Sequence, residues 1–243
     1  MKEISKPLIY SAVILVSALI LASAYKYKFK STETISVTGM AEKDFTSDLI
    51  VWGGSFSKNG MAIKDAYASL KQDENSIRTY LIQKGIADSC IIFTSVNMMK
   101  NFQRQYDDRG NLTSEVFSGF TLTENVRVES SDIDRVEKMS REITELLEKG
   151  IELNSNTPEY YYTKLNELKI DLLAKAGSDA KLRAETIAKN SGSSLGSIKK
   201  ATMGVFQITG KNVNEIYSYG GSFNTSSKLK TASITLRTDY LIE

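Results

Sequence analysis

Residues 164–190 read KLNELKIDLLAKAGSDAKLRAETIAKN. Leu165, Leu168 and Leu172 give way to Ala176, Ala180, Ala184 and Ala188, each four residues after the last, so one stripe of a long helix passes from large to small side chains. Small side chains let a helix sit close to whatever it packs on. Ser191-Gly192 ends the helix, Pro158–Thr163 (PEYYYT) before it reads as a short strand, and strands are expected at 197–209 and 228–242. A helix of this kind flanked by strands is the unit of an α+β fold.

Working outward toward the N-terminus, the same unit recurs. Thr34–Gly39 (TISVTG) alternates like a strand, and Leu49–Ser57 (LIVWGGSFS) is a second, with Gly53-Gly54 marking a bulge or a close approach. Ile63, Ala66, Leu70, Ile77 and Leu81 then share one helical face, closed by Lys84-Gly85. Cys90–Val96 (CIIFTSV) and Val116–Val128 (VFSGFTLTENVRV) read as strands, and the turn chemistry of Asp107–Asn111 between them predicts a hairpin. Ser130 or Ser131 caps a helix carrying Ile133, Val136, Met139, Ile143, Leu146 and Leu147, which stops at Lys149-Gly150. The expected order is ββαββαβαββ: an α+β protein of antiparallel-rich sheets packed by long amphipathic helices. Two strand–helix–strand halves suggest a loose internal duplication, without a residue-level repeat.

A different kind of element precedes this. From Leu8 to Tyr25 the chain reads LIYSAVILVSALILASAY with no charge, long enough as a helix to cross the hydrocarbon of a bilayer. Lys2 and Lys6 before it make a positive flank, and Ala22-Ser23-Ala24 fits the small-x-small pattern of a cleavage site. The apolar run exceeds the usual core of a cleaved signal peptide and is followed at once by lysines, which favours an uncleaved anchor. The expected division is a leader at 1–30 and an extracytoplasmic α+β domain at 31–243, held at the membrane through residues 8–25.

Composition excludes much chemistry. The chain has 243 residues, no histidine and one cysteine, Cys90, so histidine-based triads, histidine-ligated zinc, cysteine clusters and an intrachain disulfide are impossible. Lys and Arg number 31 against 29 Asp and Glu, and five of those lysines lie in the first 30 residues beside a single acid. The remainder is slightly acidic, which argues against a nucleic-acid partner. Carboxylates are the main catalytic route left, and Asp44 with Asp48, or Asp107 with Asp108, are the pairs to consider. Neither has a context that would bury it and separate its pKa values, so solvated turn carboxylates are expected, with no catalytic, cofactor or metal residue assigned. Cys90 in an apolar strand reads as a buried, inert thiol. Tyr217, Tyr219 and Phe223, in a flexible Gly/Ser-rich loop, are the candidate contact residues, because aromatic side chains anchor protein interfaces at low entropic cost.

Four segments resemble the SIMPL-domain family of bacterial periplasmic and outer-membrane immunogenic proteins. Ile35-Ser36-Val37-Thr38-Gly39 followed by Asp48 resembles its opening V-x-G strand and downstream acid. Leu81–Thr94 (LIQKGIADSCIIFT) resembles its helix-to-strand passage, with Cys90 where an acid is common and Thr94 one position late. Gly119-Phe120 through Val126-Arg127-Val128 resembles its G-[FY] strand ending in V-x-V, and Ala176–Gly196 resembles its alanine-rich helix and G-x-x-L-G turn. Gly39-Met40-Ala41 departs from the family's frequent G-E-G. The resemblance implies an α+β domain beyond the cytoplasmic membrane, often self-associating, linked to envelope or oxidative stress, with no established catalytic residues. The expectation is therefore a non-enzymatic envelope protein that works as a homo-oligomer or through protein contacts. A carboxylate-dependent hydrolase and a ligand- or lipid-binding module are the alternatives.

Overall fold

The structure is a computed structural model that describes the backbone of residues 6–30, 33–213 and 218–242. In chain order the elements are α1 (Lys6–Lys30), β1 (Thr34–Thr46), β2 (Leu49–Gly60), α2 (Ile63–Gln83), β3 (Ile91–Phe93), β4 (Asn97–Tyr106), β5 (Leu112–Ser130), α3 (Ile133–Glu142), β6 (Leu153–Ser155), β7 (Glu159–Tyr161), α4 (Leu165–Asn190), β8 (Leu195–Met203), β9 (Gln207–Gly210) and β10 (Leu229–Ile242). Among the described residues, four helices and ten strands in antiparallel sheets make the α+β class that the periodicities predict.

The strands form two sheets. In one, β5 and β2 are central, with β3 and β4 along the outer side of β5 and β6 and β7 along the outer side of β2. Alternation along β2 turns Ile50, Trp52, Gly54 and Phe56 to one face, where they meet Leu122, Val126 and Val128 of β5 beneath α2 and α3. Leu70, Ile77 and Leu81 of α2 and Val136 and Met139 of α3 complete this core. Trp52 is fully buried and its indole N–H donates to Ser155 Oγ at 2.9 Å, which satisfies the one polar atom the ring brings inside.

The second sheet joins the two ends of the folded body. β1 lies antiparallel to β10 from Thr34 against Leu241 to Thr46 against Leu229, and β8 and β9 line the other side of β10. The alanine stripe of α4 packs on it: Ala176, Ala180 and Ala184 are wholly buried against the face that carries Val37, Gly39 and Ala41. A β-carbon built on Gly39 would stand 2.7 Å from Ala180 Cβ and 2.5 Å from Ala180 N, and nearer still to the Ala176 carbonyl oxygen. Helix and strand backbones are therefore in direct contact, which needs small residues on both sides.

Several boundaries differ from the sequence reading. The segment Cys90–Val96 yields only the three-residue β3, and Cys90 sits in a single 3₁₀ turn, Asp88–Cys90, half-buried at the core edge instead of inside a strand. The hairpin closed at Asp107–Asn111 exists, but its first strand is β4, which the reading left unassigned because its residues are mostly polar. The expected strand 197–209 is broken at Gly204, where a side chain would strike Thr235, and continues as β9. Asp132, not Ser130 or Ser131, caps α3: its carboxylate accepts the Arg135 N–H at 3.2 Å.

The contact at Gly39 gives a paired prediction. Gly39→Ala forces β1 off α4 and lowers unfolding free energy by about 3 kcal/mol. Gly177→Ala, one turn away on α4, meets only Leu236 Cδ2 at 3.7 Å and raises it by about 0.5–1 kcal/mol. Denaturant unfolding of the two variants, followed by circular dichroism, checks both signs.

Candidate interaction surface

β2 ends at Gly60, opposite Phe120, whereas β4 and β5 run on past it as a two-stranded arm to the turn at Asp107–Asn111. The turn is built by Asp107, whose Oδ1 accepts the N–H groups of Arg109 and Asn111 at 2.9 and 2.8 Å. These bonds hold the Asp107 carboxyl below its ordinary pKa. Gly110, at φ +79°, supplies the left-handed residue the turn requires.

The arm has two chemically distinct faces. Met98, Lys100, Phe102, Arg104 and Tyr106 of β4 lie opposite Leu122, Phe120, Phe117, Glu115 and Leu112 of β5, all on one side. That side continues the buried face of the sheet: Leu122 is in the core, while Met98, Phe102, Tyr106, Leu112 and Phe117 emerge from it and are exposed. Phe102 and Phe117 meet edge to face at 5.9 Å, Phe117 and Phe120 at 5.1 Å, and Arg104 pairs with Glu115 at 2.8 Å. The other side carries Asn97, Asn101, Gln103 and Gln105 with Thr121 and Thr123, Met99 and Val116 being its apolar members. Exposed apolar side chains gathered in one place are the kind of patch that marks interaction sites in general.

The loop aromatics are divided by the structure. Tyr217 lies outside the described residues. Tyr219 is fully exposed and lines a shallow hollow of about 340 Å³ with Met40, Val205, Gln207 and Ile234. Phe223 is half exposed, its ring 6.4 Å from that of Tyr161, and so partly covers the sheet. Two described residues of the loop bond to β9: the Gln207 amide donates to Ser218 O at 2.8 Å and accepts from Ser222 N–H and Oγ at 2.8 and 2.9 Å.

The carboxylates considered for catalysis have structural partners. Asp48 accepts the N–H and the hydroxyl of Thr163, both at 2.7 Å, and so fixes the entry to α4 from the corner between β1 and β2. Asp44 pairs with Lys211 at 2.7 Å and accepts from Thr231 Oγ1, and these partners hold its carboxyl below the ordinary range. The most deeply buried acid among the described residues, which sequence reasoning missed, is Glu124 of β5, 2% exposed beneath α2. Its signal was a lone Glu at an inward position of an alternating strand. Lys71 of α2 lies 3.4 Å from both Glu124 oxygens and also bonds Glu74, while Asp73 meets Lys58 at 3.0 Å. Burial first, then the Glu74 charge, pushes the Glu124 carboxyl above its usual pKa, against the pull of Lys71.

A raised carboxyl pKa means the folded chain keeps a proton that the unfolded chain has already lost. Stability contributed by Glu124 is therefore full at acid pH and falls as pH rises from the ordinary carboxyl value of 4.5 through the higher folded value. Glu124→Gln removes that fall and raises the thermal midpoint at pH 7 relative to the parent, with a smaller difference at pH 4. Thermal scans of both chains across this range check it.

α1 spans 25 residues, about 37 Å of helix, and Tyr10–Lys28 within it is apolar and long enough to cross a membrane, with its side chains exposed. The Lys2 flank lies outside the described residues. No curated protein matches the chain. The SIMPL family, described as a protein of unknown function (DUF541), matches residues 35–235, from the start of β1 into β10. That match covers the four segments compared above, both sheets and helices α2 to α4, and the chain belongs to the SIMPL family.

Proposed function

We propose that this is an extracytoplasmic envelope protein, held at the cytoplasmic membrane by α1, that works by self-assembly or protein contact and not by catalysis. The observation that carries the reading is the apolar face of the β4–β5 arm, which leaves the core and runs into solvent. Aromatic and methionine side chains displayed on a rigid element suit protein partners. The structural bonds of Asp44, Asp48 and Asp107 support the non-catalytic part, since each carboxylate is committed to a turn, a helix entry or an ion pair. The apolar α1 and membership of the SIMPL family support a place outside the cytoplasm, with a role in envelope stress as the finer reading.

A second reading has its own observation. The hollow beside Tyr219 has apolar walls and polar groups from Gln207 and Ser233, which suits a small amphipathic ligand.

Light scattering on the full chain extracted in mild detergent separates these. The assembly reading predicts a discrete protein mass that is a multiple of 27.0 kDa. A monomer at every concentration, with a small molecule retained through purification, would favour the second.

A further inference from the structure

Resting on the self-assembly reading, we propose that two copies of the chain join through the outer edge of β4, strand to strand and antiparallel, about a two-fold axis at Gln103. Among the described residues β4 pairs only with β5, so its other edge is open over ten residues. The direction of its backbone groups follows from two bonds. Asp107 N–H donates to Asn111 O, and Gln105 O accepts from Thr113 Oγ1 at 3.0 Å, so residues 105 and 107 face β5. The irregularities of the ladder leave out Ser118 and Thr113 on β5, and β4 itself alternates regularly. The N–H and C=O groups of residues 100, 102, 104 and 106 therefore point to the open edge.

Charge selects the register. An isologous antiparallel pair has its axis perpendicular to the sheet, so residues opposite each other share a face. Centring on Phe102 sets Lys100 opposite Arg104 of the second copy, and centring on Arg104 sets two guanidinium groups opposite each other. Both oppose like charges. Centring on Asn101 leaves Arg104 opposite Met98. Centring on Gln103 puts Lys100 opposite Tyr106 and Arg104 opposite Phe102, each cation against a ring. The same register makes all four of these pairs hydrogen-bonded pairs, about eight backbone bonds in total. Lys100 and Arg104, which on a solitary edge would discourage pairing, become the residues that set its register. The arm's tip, with Asp107, Asp108 and Arg109, argues against insertion into a bilayer as the alternative use of the apolar face.

The test uses the full chain in membranes, with Cys90→Ser removing the native thiol. Gln103 faces its own copy across the axis in a narrow, non-hydrogen-bonded pair, about 4.5 Å between α-carbons, within disulfide reach. Gln103→Cys is expected to cross-link to a dimer under mild oxidation. Asn101→Cys and Gln105→Cys each lie roughly 13 Å from their own equivalents but opposite one another, so neither forms a cross-link alone and the two cross-link when co-expressed. Arg104→Pro removes an outward N–H together with the exposed Glu115 ion pair, whose loss moves the thermal midpoint little; it leaves the β4–β5 backbone ladder in place and weakens association at least about tenfold. Cross-linking at 101 or 105 alone equal to that at 103, or an assembly untouched by Arg104→Pro, would overturn this interface while leaving self-assembly standing. A chain that is monomeric by light scattering would overturn both, as would one whose arm binds vesicles instead of a second copy.

Discussion

The close approach of α4 to β1 at Gly39 is the constraint on which the second sheet depends. β1 follows α1 and β10 is the last of the described strands, and the sheet pairs them along their length. At the crossing β1 presents Gly39 between the buried Val37 and Ala41, and the close backbone contact there is one that only glycine and alanine permit. Polar bonds fix the same crossing from the side. Asp179 of α4 accepts the Met40 backbone N–H at 2.9 Å and Asp171 pairs with Lys43 at 3.0 Å, so the helix also satisfies part of the strand's outer edge. Bonds to the Met40 backbone and to Arg183 hold the Asp179 carboxyl below its ordinary pKa.

The first sheet solves a different problem by a different route. Its core is made of large side chains, with Trp52, Phe56, Leu70 and Met139 wholly or almost wholly buried, and it tolerates two buried carboxyls beside it, Glu124 with Lys71 and Asp73 with Lys58. The two sheets meet at the corner where Asp48 ties the start of β2 to the approach to α4. Only at the far end does the pattern change. There the sheet outgrows its helices, because β4 and β5 continue beyond Gly60 and α2 begins at Ile63. Side chains that would be core elsewhere are left in solvent, and this mismatch in length is what supports a protein partner.

What was legible in the sequence follows the strength of each periodic signal. The three amphipathic helices of the body are visible because their apolar positions recur over several turns, and the alanine stripe of α4 announces its close packing. β4 is not visible to hydrophobicity, since Asn97, Lys100, Asn101, Gln103, Arg104 and Gln105 outnumber its apolar residues. Its period of two lies in Met98, Phe102 and Tyr106, and the charged members Lys100 and Arg104 conceal it. The contact surface was sought in the loop aromatics for the same reason. Tyr219 does stand in solvent, but Phe223 leans on Tyr161, and the larger apolar surface is on the arm. Asp107 makes turn bonds, because short-range Asx chemistry is written in adjacent residues, whereas the partner of Asp48, Thr163, is brought to it only by the fold. Glu124 needed the register of β5 before its burial could be known.

The account turns on where the body sits relative to the membrane that α1 can cross. In a Cys90→Ser background, a single cysteine replacing Asp108 at the tip of the arm can be challenged in intact cells, with any outer membrane permeabilised, by a thiol reagent that does not cross the cytoplasmic membrane. The account predicts complete labelling before lysis. Labelling only after the cytoplasmic membrane is opened would contradict it.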